Sequence, residues 1–282
     1  MIIFAADMDY TLNCNGRLLS LAEPRVMGIL NVTPDSFYAD SRQQTKEAIS
    51  RRAKQIVAEG GAVIDIGACS TRPGSEPATE QEEMERLRTA LRVVRLTVPG
   101  AIVSVDTFRP DVARMAVEEF GADIINDVGA PPTCNPSTLT SDMFRMVSRL
   151  HVPYIYMSRR ATVKEVMLDF AEAVDMLRSM GQQDIVLDPG FGFGKTLDEN
   201  YRILQQLERL SVIGLPILVG VSRKSMIYKC LGVEPEAALN GTTVLHTVAL
   251  QKGAALLRAH DVRAAVEAVR ITEALCRDDV MP

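Results

Sequence analysis

The sequence predicts a (β/α)8 barrel, the TIM barrel fold, preceded by a short N-terminal β-hairpin. Eight short apolar runs recur along the 282 residues at intervals of roughly 22–40 residues, and a helix-like segment follows each run. Strands and helices that alternate over a whole chain form a parallel sheet with right-handed crossovers. Nearly every run ends in a polar residue. Because barrels of this kind build their active sites at the carboxyl ends of the strands, these polar residues predict the position of the site.

The elements are predicted in chain order from apolar periodicity and turn signals. Asn15-Gly16 favours a hairpin turn because both residues tolerate positive φ, so a hairpin over about residues 1–22 is expected to close the bottom of the barrel, with strands in the runs 2–6 and 17–21. The barrel strands are expected in the runs 26–30, 62–64, 101–105, 123–125, 152–157, 185–187, 215–221 and 254–257. The helices are expected over 44–59, 79–97, 110–120, 138–149, 163–180, 197–210, 236–252 and 261–276.

Composition favours one globular domain over residues 1–282 and argues against several classes of protein. Apolar residues make up 47% of the chain and charged residues 24%, and no linker or low-complexity tract interrupts it. The net charge of −5 gives no reason to expect nucleic acid or an anionic membrane as a partner. Five scattered cysteines without a C-x-x-C pair argue against a disulfide framework or a zinc site. Without a membrane-length apolar run or a signal-like start, a cytoplasmic location is expected.

The polar residues at the strand ends form a selective set. The acids are Asp65, Asp106 and Asp188, the amides are Asn31 and Asn126, and the cations are Arg72, Lys224, Arg258 and, when protonated, His260. A single acid of this kind could instead cap the next helix, as Asp106 could for a helix beginning at Pro110. The glycines after Asp188 do not form G-x-G-x-x-G, which argues against a dinucleotide. Carboxylates and amides can pair with a heterocycle and the cations can bind an anion, so the site predicts a ligand with both features.

At these residues the chain closely resembles the dihydropteroate synthase family, the pterin-binding barrel enzymes that sulfonamides inhibit, and the resemblance covers residues 24–275. It implies a transferase of folate biosynthesis. The implied reaction joins 6-hydroxymethyl-7,8-dihydropterin pyrophosphate to p-aminobenzoate and gives 7,8-dihydropteroate and pyrophosphate. It also implies Mg²⁺ as the cofactor and a homodimer as the assembly.

The same resemblance implies a role for each matching position. The implied pterin-binding residues are Asp106, Asn126, Met157, Asp188, Phe193 and Lys224. The implied pyrophosphate-binding residues are Asn31, Thr71, Arg72, Arg258 and His260, with Mg²⁺ at Asn31. The p-aminobenzoate side is implied to hold Asp35, Phe37, Thr71, Arg72 and Ser222, with Phe193 as a second apolar wall. The implied catalytic residues are Asn31, Asp106, Lys224, Arg258 and His260, with Asp106 stabilising a pterin cation.

Three loops depart from the family pattern. Tyr38-Ala39-Asp40 stands where a small residue, an acid and glycines are usual, and Ala68-Cys69 stands where Gly-Glu is usual. The segment Tyr156-Met157-Ser158-Arg159-Arg160 replaces a common Met-His-Met, of which Met157 alone carries over. This last change supports one alternative, a non-catalytic pterin-binding paralogue. A second alternative is a pterin methyltransferase of the same barrel family, although methyl transfer gives Thr71, Arg72, Arg258 and His260 no anion to bind.

Overall fold

The barrel is described by a computed structural model that covers residues 10–33, 42–69, 78–129 and 136–275, with the backbone alone for 42–44 and 136–139. In these ranges eight parallel strands close into one barrel in the order β10-β3-β4-β5-β6-β7-β8-β9. The barrel strands are β3 (Arg25–Asn31), β4 (Val63–Gly67), β5 (Ile102–Asp106), β6 (Ile124–Asp127), β7 (Tyr154–Met157), β8 (Ile185–Asp188), β9 (Ile217–Val219) and β10 (Ala254–Ala259). The predicted fold class is confirmed.

Helices connect the strands and cover the outside of the barrel. Those in the described ranges are α1 (Arg42–Ala58), α2 (Glu80–Thr97), α3 (Pro110–Phe120), α4 (Pro136–Leu150), α5 (Val163–Ser179), α6 (Leu197–Gln205), α7 (Ser225–Leu231), α8 (Leu239–Gln251) and α9 (Val262–Ala274). Helix α7 was not predicted, because seven residues give too little apolar periodicity. The helix predicted over 197–210 ends early, at Gln205, and a 3-10 segment follows over Leu207–Ile213. No helix of the described residues is long and apolar enough to cross a membrane.

Three helices begin at capping boxes, which fix where the preceding strand-end loops stop. In α2 the hydroxyl of Thr79 accepts from the Glu82 backbone N–H, and the Glu82 carboxylate accepts from the Thr79 backbone N–H. Thr162 and Thr196 begin α5 and α6 in the same way. Such caps satisfy backbone donors that have no partner inside the helix.

In most of the barrel strands the inward side chains change from apolar to polar toward the carboxyl end. In β4 the alternation of a strand turns Val63 and Asp65 to the interior and Ile64 and Ile66 to the helices. Val63 belongs to an inner cluster at the amino-terminal half of the barrel, whose other barrel members are Met27, Ile124, Ile155, Val186, Leu218, Ala255 and Leu256. On β4, β6, β8 and β10 the residues two positions after members of this cluster are the polar Asp65, Asn126, Asp188 and Arg258, whereas β7 has Met157 at that point. The polar series therefore meets at the carboxyl end of the barrel.

The N-terminal hairpin closes the opposite end. Its strands are β1 (Thr11–Cys14) and β2 (Arg17–Ser20), joined by Asn15 and Gly16 with φ of 52° and 84°. The predicted turn is confirmed. The prediction that residues 2–6 form the strand that pairs with β2 is wrong, because a two-residue turn pairs the segments directly on either side of it, and the partner of β2 is β1. Residues 2–6 lie outside the described ranges. The single-domain assignment of residues 1–282 stays a prediction.

Candidate active site

Arg258, on β10, is the centre of the polar cluster. Its Nε donates to Asp65 Oδ2 at 2.7 Å, and its Nη2 donates to Asp106 Oδ2 at 2.7 Å. Asp65 also accepts from Asn126 Nδ2 at 3.1 Å, so one arginine joins side chains from four strands. Burial opposes the charge of Arg258, but the carboxylates of Asp65 and Asp106 outweigh it and raise the pKa of the guanidinium.

Asp65 is a site residue to which the family resemblance gave no role. It is fully buried, and its Oδ1 has no hydrogen-bond partner among the described residues. The sequence did contain a signal for it, since Asp65 follows an apolar run as Asp106 and Asp188 do. Its contact with Arg258 could not be predicted, because the two residues are 193 positions apart.

Asp106 is a largely buried carboxyl group, with 15% of its side chain exposed, and its pKa is raised toward neutral pH. Burial raises the pKa of Asp106 to about 7, and the guanidinium of Arg258 opposes the rise. The possibility that Asp106 caps the following helix is wrong. Helix α3 has Arg109 at its N-cap and no side-chain cap bond, because the Asp106 carboxylate turns inward to Arg258.

Asp188 is buried and Lys224 is half-buried, and the two opposite charges lie close enough to shift each other's pKa. Burial raises the pKa of Asp188, and Lys224 opposes that rise. Burial lowers the pKa of Lys224 to about 8, and Asp188 opposes that fall. The Lys224 Nζ donates to the Phe191 carbonyl and lies 4.5 Å from the centre of the Phe193 ring. A cation, a carboxylate and an aromatic ring thus stand together, which suits a flat heterocycle with donors and acceptors on its edge.

Asn31 and Gly67 mark the place where a metal ion could be held. A Cβ added to Gly67 would lie 3.2 Å from Asn31 Oδ1 and 3.5 Å from Asp106 Oδ2, so the glycine keeps a gap open between two oxygens. Oxygen is the ligand that Mg²⁺ prefers, and Mg²⁺ usually takes few protein ligands together with water and substrate phosphates. Among the described residues no group of three or more His, Cys, Asp or Glu could hold a metal. The residues present therefore fit Mg²⁺ that is shared with a phosphate ligand.

His260 and Ser222 meet at the carboxyl ends of the neighbouring strands β10 and β9. The Ser222 hydroxyl accepts from the His260 backbone N–H at 3.1 Å. Burial, followed by the charge of Arg258, lowers the pKa of His260 to about 4. His260 is therefore neutral near neutral pH and offers a hydrogen bond rather than the positive charge that the sequence allowed.

Arg223 and Lys195 hold the loops that carry site residues, and the sequence analysis gave neither a role. Arg223 has a φ of 53° and donates to both oxygens of Asp261 at 2.8 and 2.9 Å, which fixes the turn between Ser222 and Lys224. Lys195 Nζ donates to Gly190 O at 2.8 Å and to Ser158 O at 3.2 Å. In the sequence, the signal that could have identified Arg223 and Lys195 is that each is a charged residue close to predicted site residues.

The structure brings most of the predicted site residues to one end of the barrel. Those described there are Asn31, Asp106, Asn126, Met157, Asp188, Phe193, Ser222, Lys224, Arg258 and His260. The predictions at Asp35, Phe37, Thr71 and Arg72 fall outside the described residues. Together the fold and the site define a class, the barrel enzymes that bind a ligand with a heterocyclic part and an anionic part.

Comparisons with known proteins identify the family within that class. A family model described as "Pterin binding enzyme" matches residues 27–260. The dihydropteroate synthase of Escherichia coli K12 is 35% identical, over 92% of this chain and 94% of its own. That of Bacillus subtilis 168 is 34% identical, over 89% and 88%. The chain belongs to the dihydropteroate synthase family, as predicted.

Solved structures agree with this assignment. The Xanthomonas albilineans dihydropteroate synthase with 4-aminobenzoic acid has a TM-score of 0.85 and 37% identity, and the match covers 96% of this chain and 99% of that one. The same enzyme in complex with 7,8-dihydropteroate has a TM-score of 0.83 and 35% identity, with 97% and 100% covered.

Proposed function

We propose that the strand-end site performs the dihydropteroate synthase reaction with the residue roles that follow. The reaction joins 6-hydroxymethyl-7,8-dihydropterin pyrophosphate to p-aminobenzoate and releases pyrophosphate. One observation carries the assignment of roles. Arg258 binds Asp106, whose Oδ2 borders the gap beside Asn31, and Asp188 lies close enough to Arg258 to raise the pKa of the guanidinium. The residues that suit a heterocycle and the residues that suit an anion are therefore neighbours, as the binding of a pterin pyrophosphate requires.

The pterin ring is assigned to Asp188, Lys224 and the amide of Asn126. The Asp188 carboxylate would accept from the 2-amino and N3 edge of the ring, and Lys224 would donate to the ring oxygen and nitrogen. Asn126 is already oriented by its bond to Asp65, so it can present its amide at little entropic cost. Met157 is buried beside Gly190 and would provide apolar contact to the ring.

The pyrophosphate is assigned to Asn31, Arg258 and His260, with Thr71 and Arg72 as further ligands. Mg²⁺ at Asn31 would supply positive charge that neutralises the departing pyrophosphate. Arg258 holds a fixed guanidinium beside that group, because Asp65 orients it from the opposite side. Neutral His260 can donate one hydrogen bond without changing its protonation state.

The aryl amine is assigned to the side of the site that Ser222 and Phe193 line, with Asp35, Phe37, Thr71 and Arg72 as further residues. Loss of pyrophosphate leaves a resonance-stabilised pterin cation, whose charge the Asp106 carboxylate stabilises. The amine of p-aminobenzoate then attacks the exocyclic methylene and loses a proton, so no protein nucleophile is needed. Sulfonamides are expected to compete with p-aminobenzoate, because they present a similar aryl amine to the same subsite.

The test is a pyrophosphate-release assay with the purified chain. Release should require the pterin pyrophosphate, p-aminobenzoate and Mg²⁺ together, should stop with EDTA and should return with added Mg²⁺. A chain that binds the pterin pyrophosphate but releases nothing would be a non-catalytic paralogue. Methyl transfer from a methylated pterin would identify the methyltransferase. Either result would contradict the proposal.

A homodimer is part of the same proposal. Exposed apolar side chains lie on or directly after the three consecutive helices α7, α8 and α9, and they are Leu231, Leu239, Val244, Ile271 and Leu275. Apolar groups that share one side of a molecule favour a protein–protein interface.

A cytoplasmic location is also proposed, since no disulfide joins the cysteines that the structure describes.

A further inference from the structure

Arg159 links the loops that follow three consecutive strands, and it lies in the segment that departs from the family pattern. It follows β7, and its Nη2 donates to Gly129 O at 3.0 Å and to Val128 O at 3.3 Å, both after β6. Its guanidinium carbon lies 5.8 Å from the centre of the Phe193 ring, after β8. This distance is within the range at which a cation is attracted to an aromatic face.

The carbonyls that receive Arg159 are held in place by a buried carboxylate. Asp127 Oδ1 accepts from the Gly129 backbone N–H at 2.7 Å, and Asp127 Oδ2 accepts from the Tyr154 hydroxyl at 2.7 Å. Gly129 has a φ of 75°, and a Cβ at this position would lie 3.0 Å from Arg159 Nε. A side chain there would crowd the guanidinium, so the turn is shaped to receive it.

Phe193 is contacted by a second cation from its other neighbour in the barrel. Lys224 Nζ lies 4.5 Å from the ring centre and is itself held by the Phe191 carbonyl. The ring is half-buried, and the glycines on both sides of it have positive φ, 81° at Gly192 and 67° at Gly194. The ring thus contacts two cations, of which Arg159 is the one not assigned to binding the pterin ring.

We propose that Arg159 is a positioning residue that fixes the Phe193 ring and thereby sets the affinity for the aryl amine. The inference rests on the proposed function, in which Phe193 forms a wall of the p-aminobenzoate side. The neighbouring Arg160 provides a contrast. Its side chain is 62% exposed, and its Nε lies 3.4 Å from Asp169.

The kinetic test compares Arg159→Met with Arg160→Met, which remove the same charge from adjacent positions. Arg159→Met should raise the KM for p-aminobenzoate by about three- to fivefold, the size of one partly exposed cation–aromatic contact, with kcat and the KM for the pterin pyrophosphate nearly unchanged. Arg160→Met should behave like the wild type. Equal effects of the two substitutions, or equal changes in both KM values, would overturn the proposal.

A second readout does not depend on activity. The chain contains no tryptophan, so Phe193→Trp introduces a single fluorescent reporter at the ring position. Adding Arg159→Met should make this tryptophan more accessible to acrylamide, and adding Arg160→Met should not. Unchanged quenching would reject the positioning role. If Arg159→Met does not fold, Arg159→Gln is judged by the same criteria. An inactive wild type would instead reject the proposed function, and the quenching result would still stand.

Discussion

At the scale of residues, Asp106 and Lys224 carry charges whose energies are set by neighbours from other strands. Burial raises the pKa of Asp106 to about 7 and lowers the pKa of Lys224 to about 8. Arg258 acts against the rise at Asp106, and Asp188 acts against the fall at Lys224, so each neighbour favours the charged form of its own partner. Both groups are therefore close to a change of protonation, which makes the reaction sensitive to substitution and to pH.

Asp106→Asn should lower kcat much more than it weakens pterin binding. The amide keeps the size of the side chain but removes the negative charge that stabilises the pterin cation. We expect a loss of about 100-fold or more in kcat, the order seen when one electrostatic contact to a transition state is removed. Steady-state kinetics would give kcat, and calorimetry would give the pterin affinity. Equal losses in both quantities would contradict the role of Asp106.

The alkaline limb of kcat/KM should report Lys224. Because the pKa of Lys224 in the folded protein is lowered to about 8, the cation is present below that pH and is lost above it. The value of kcat/KM should therefore fall as the pH rises through about 8. Lys224→Arg should move this limb to higher pH, because arginine stays protonated. A limb that stays at the same pH in the variant would assign the titration to another group, such as the substrate.

At the scale of elements, the hairpin of β1 and β2 has a structural role at the amino-terminal end of the barrel. Arg17 Nη2 donates to Asp123 Oδ1 at 2.6 Å, and Arg17 Nη1 donates to the Gly100 carbonyl at 2.8 Å. The Asn13 backbone N–H donates to Asp184 Oδ2 at 3.0 Å. These acceptors all precede barrel strands, so the hairpin is attached far from the strand-end site.

Arg17→Ala should lower stability without lowering activity. Its partner Asp123 is 1% exposed, but Arg17 is 37% exposed and Arg95 still pairs with Asp123, so the loss is modest. We expect about 1 kcal/mol in the free energy of unfolding, measured by urea denaturation. Arg114→Ala is the control, because its pair with Asp111 lies on the surface of α3. A fall in kcat at a temperature where Arg17→Ala is folded would show that the hairpin also affects the site.

At the scale of the whole molecule, five of the thirteen exposed large apolar side chains in the described ranges lie on or directly after α7, α8 and α9. Val244 on α8 is 53% exposed and Ile271 on α9 is 63% exposed, and the two helices pack against each other. A surface of this kind can meet its own copy about a twofold axis. The active site lies at the strand ends, and α7 begins directly after Lys224, so a dimer would support one of the site loops.

Val244→Asp combined with Ile271→Asp should convert the proposed dimer to a monomer. Each carboxylate would be buried against its symmetry-related surface, which is costly without a partner charge. Sedimentation velocity should give twice the chain mass for the wild type and the chain mass for the double variant. Val212→Asp, at a position 71% exposed outside these helices, should remain a dimer. A monomeric wild type would reject the proposed assembly.

The order of the elements and most of the site could be predicted from the sequence. The strand predictions ended next to Asp106, Asp188 and Arg258, because apolar periodicity is a local property that survives without tertiary contacts. The family resemblance is also carried by short segments such as Gly190 to Lys195. The predicted boundaries were weakest where elements are short, as in α7, or where several segments could pair, as in the hairpin.

Only the tertiary structure decided how the strand-end residues act on one another. In the folded chain Asp65 orients Arg258, burial keeps His260 neutral, and the Arg159 guanidinium lies near the Phe193 ring. These contacts join residues from different strands, and their energies depend on how far closure of the barrel excludes water. The sequence by itself determined the family, the barrel and the type of residue at each strand end. The closed barrel decided the pairing and the charge of those residues, because both depend on distance and burial.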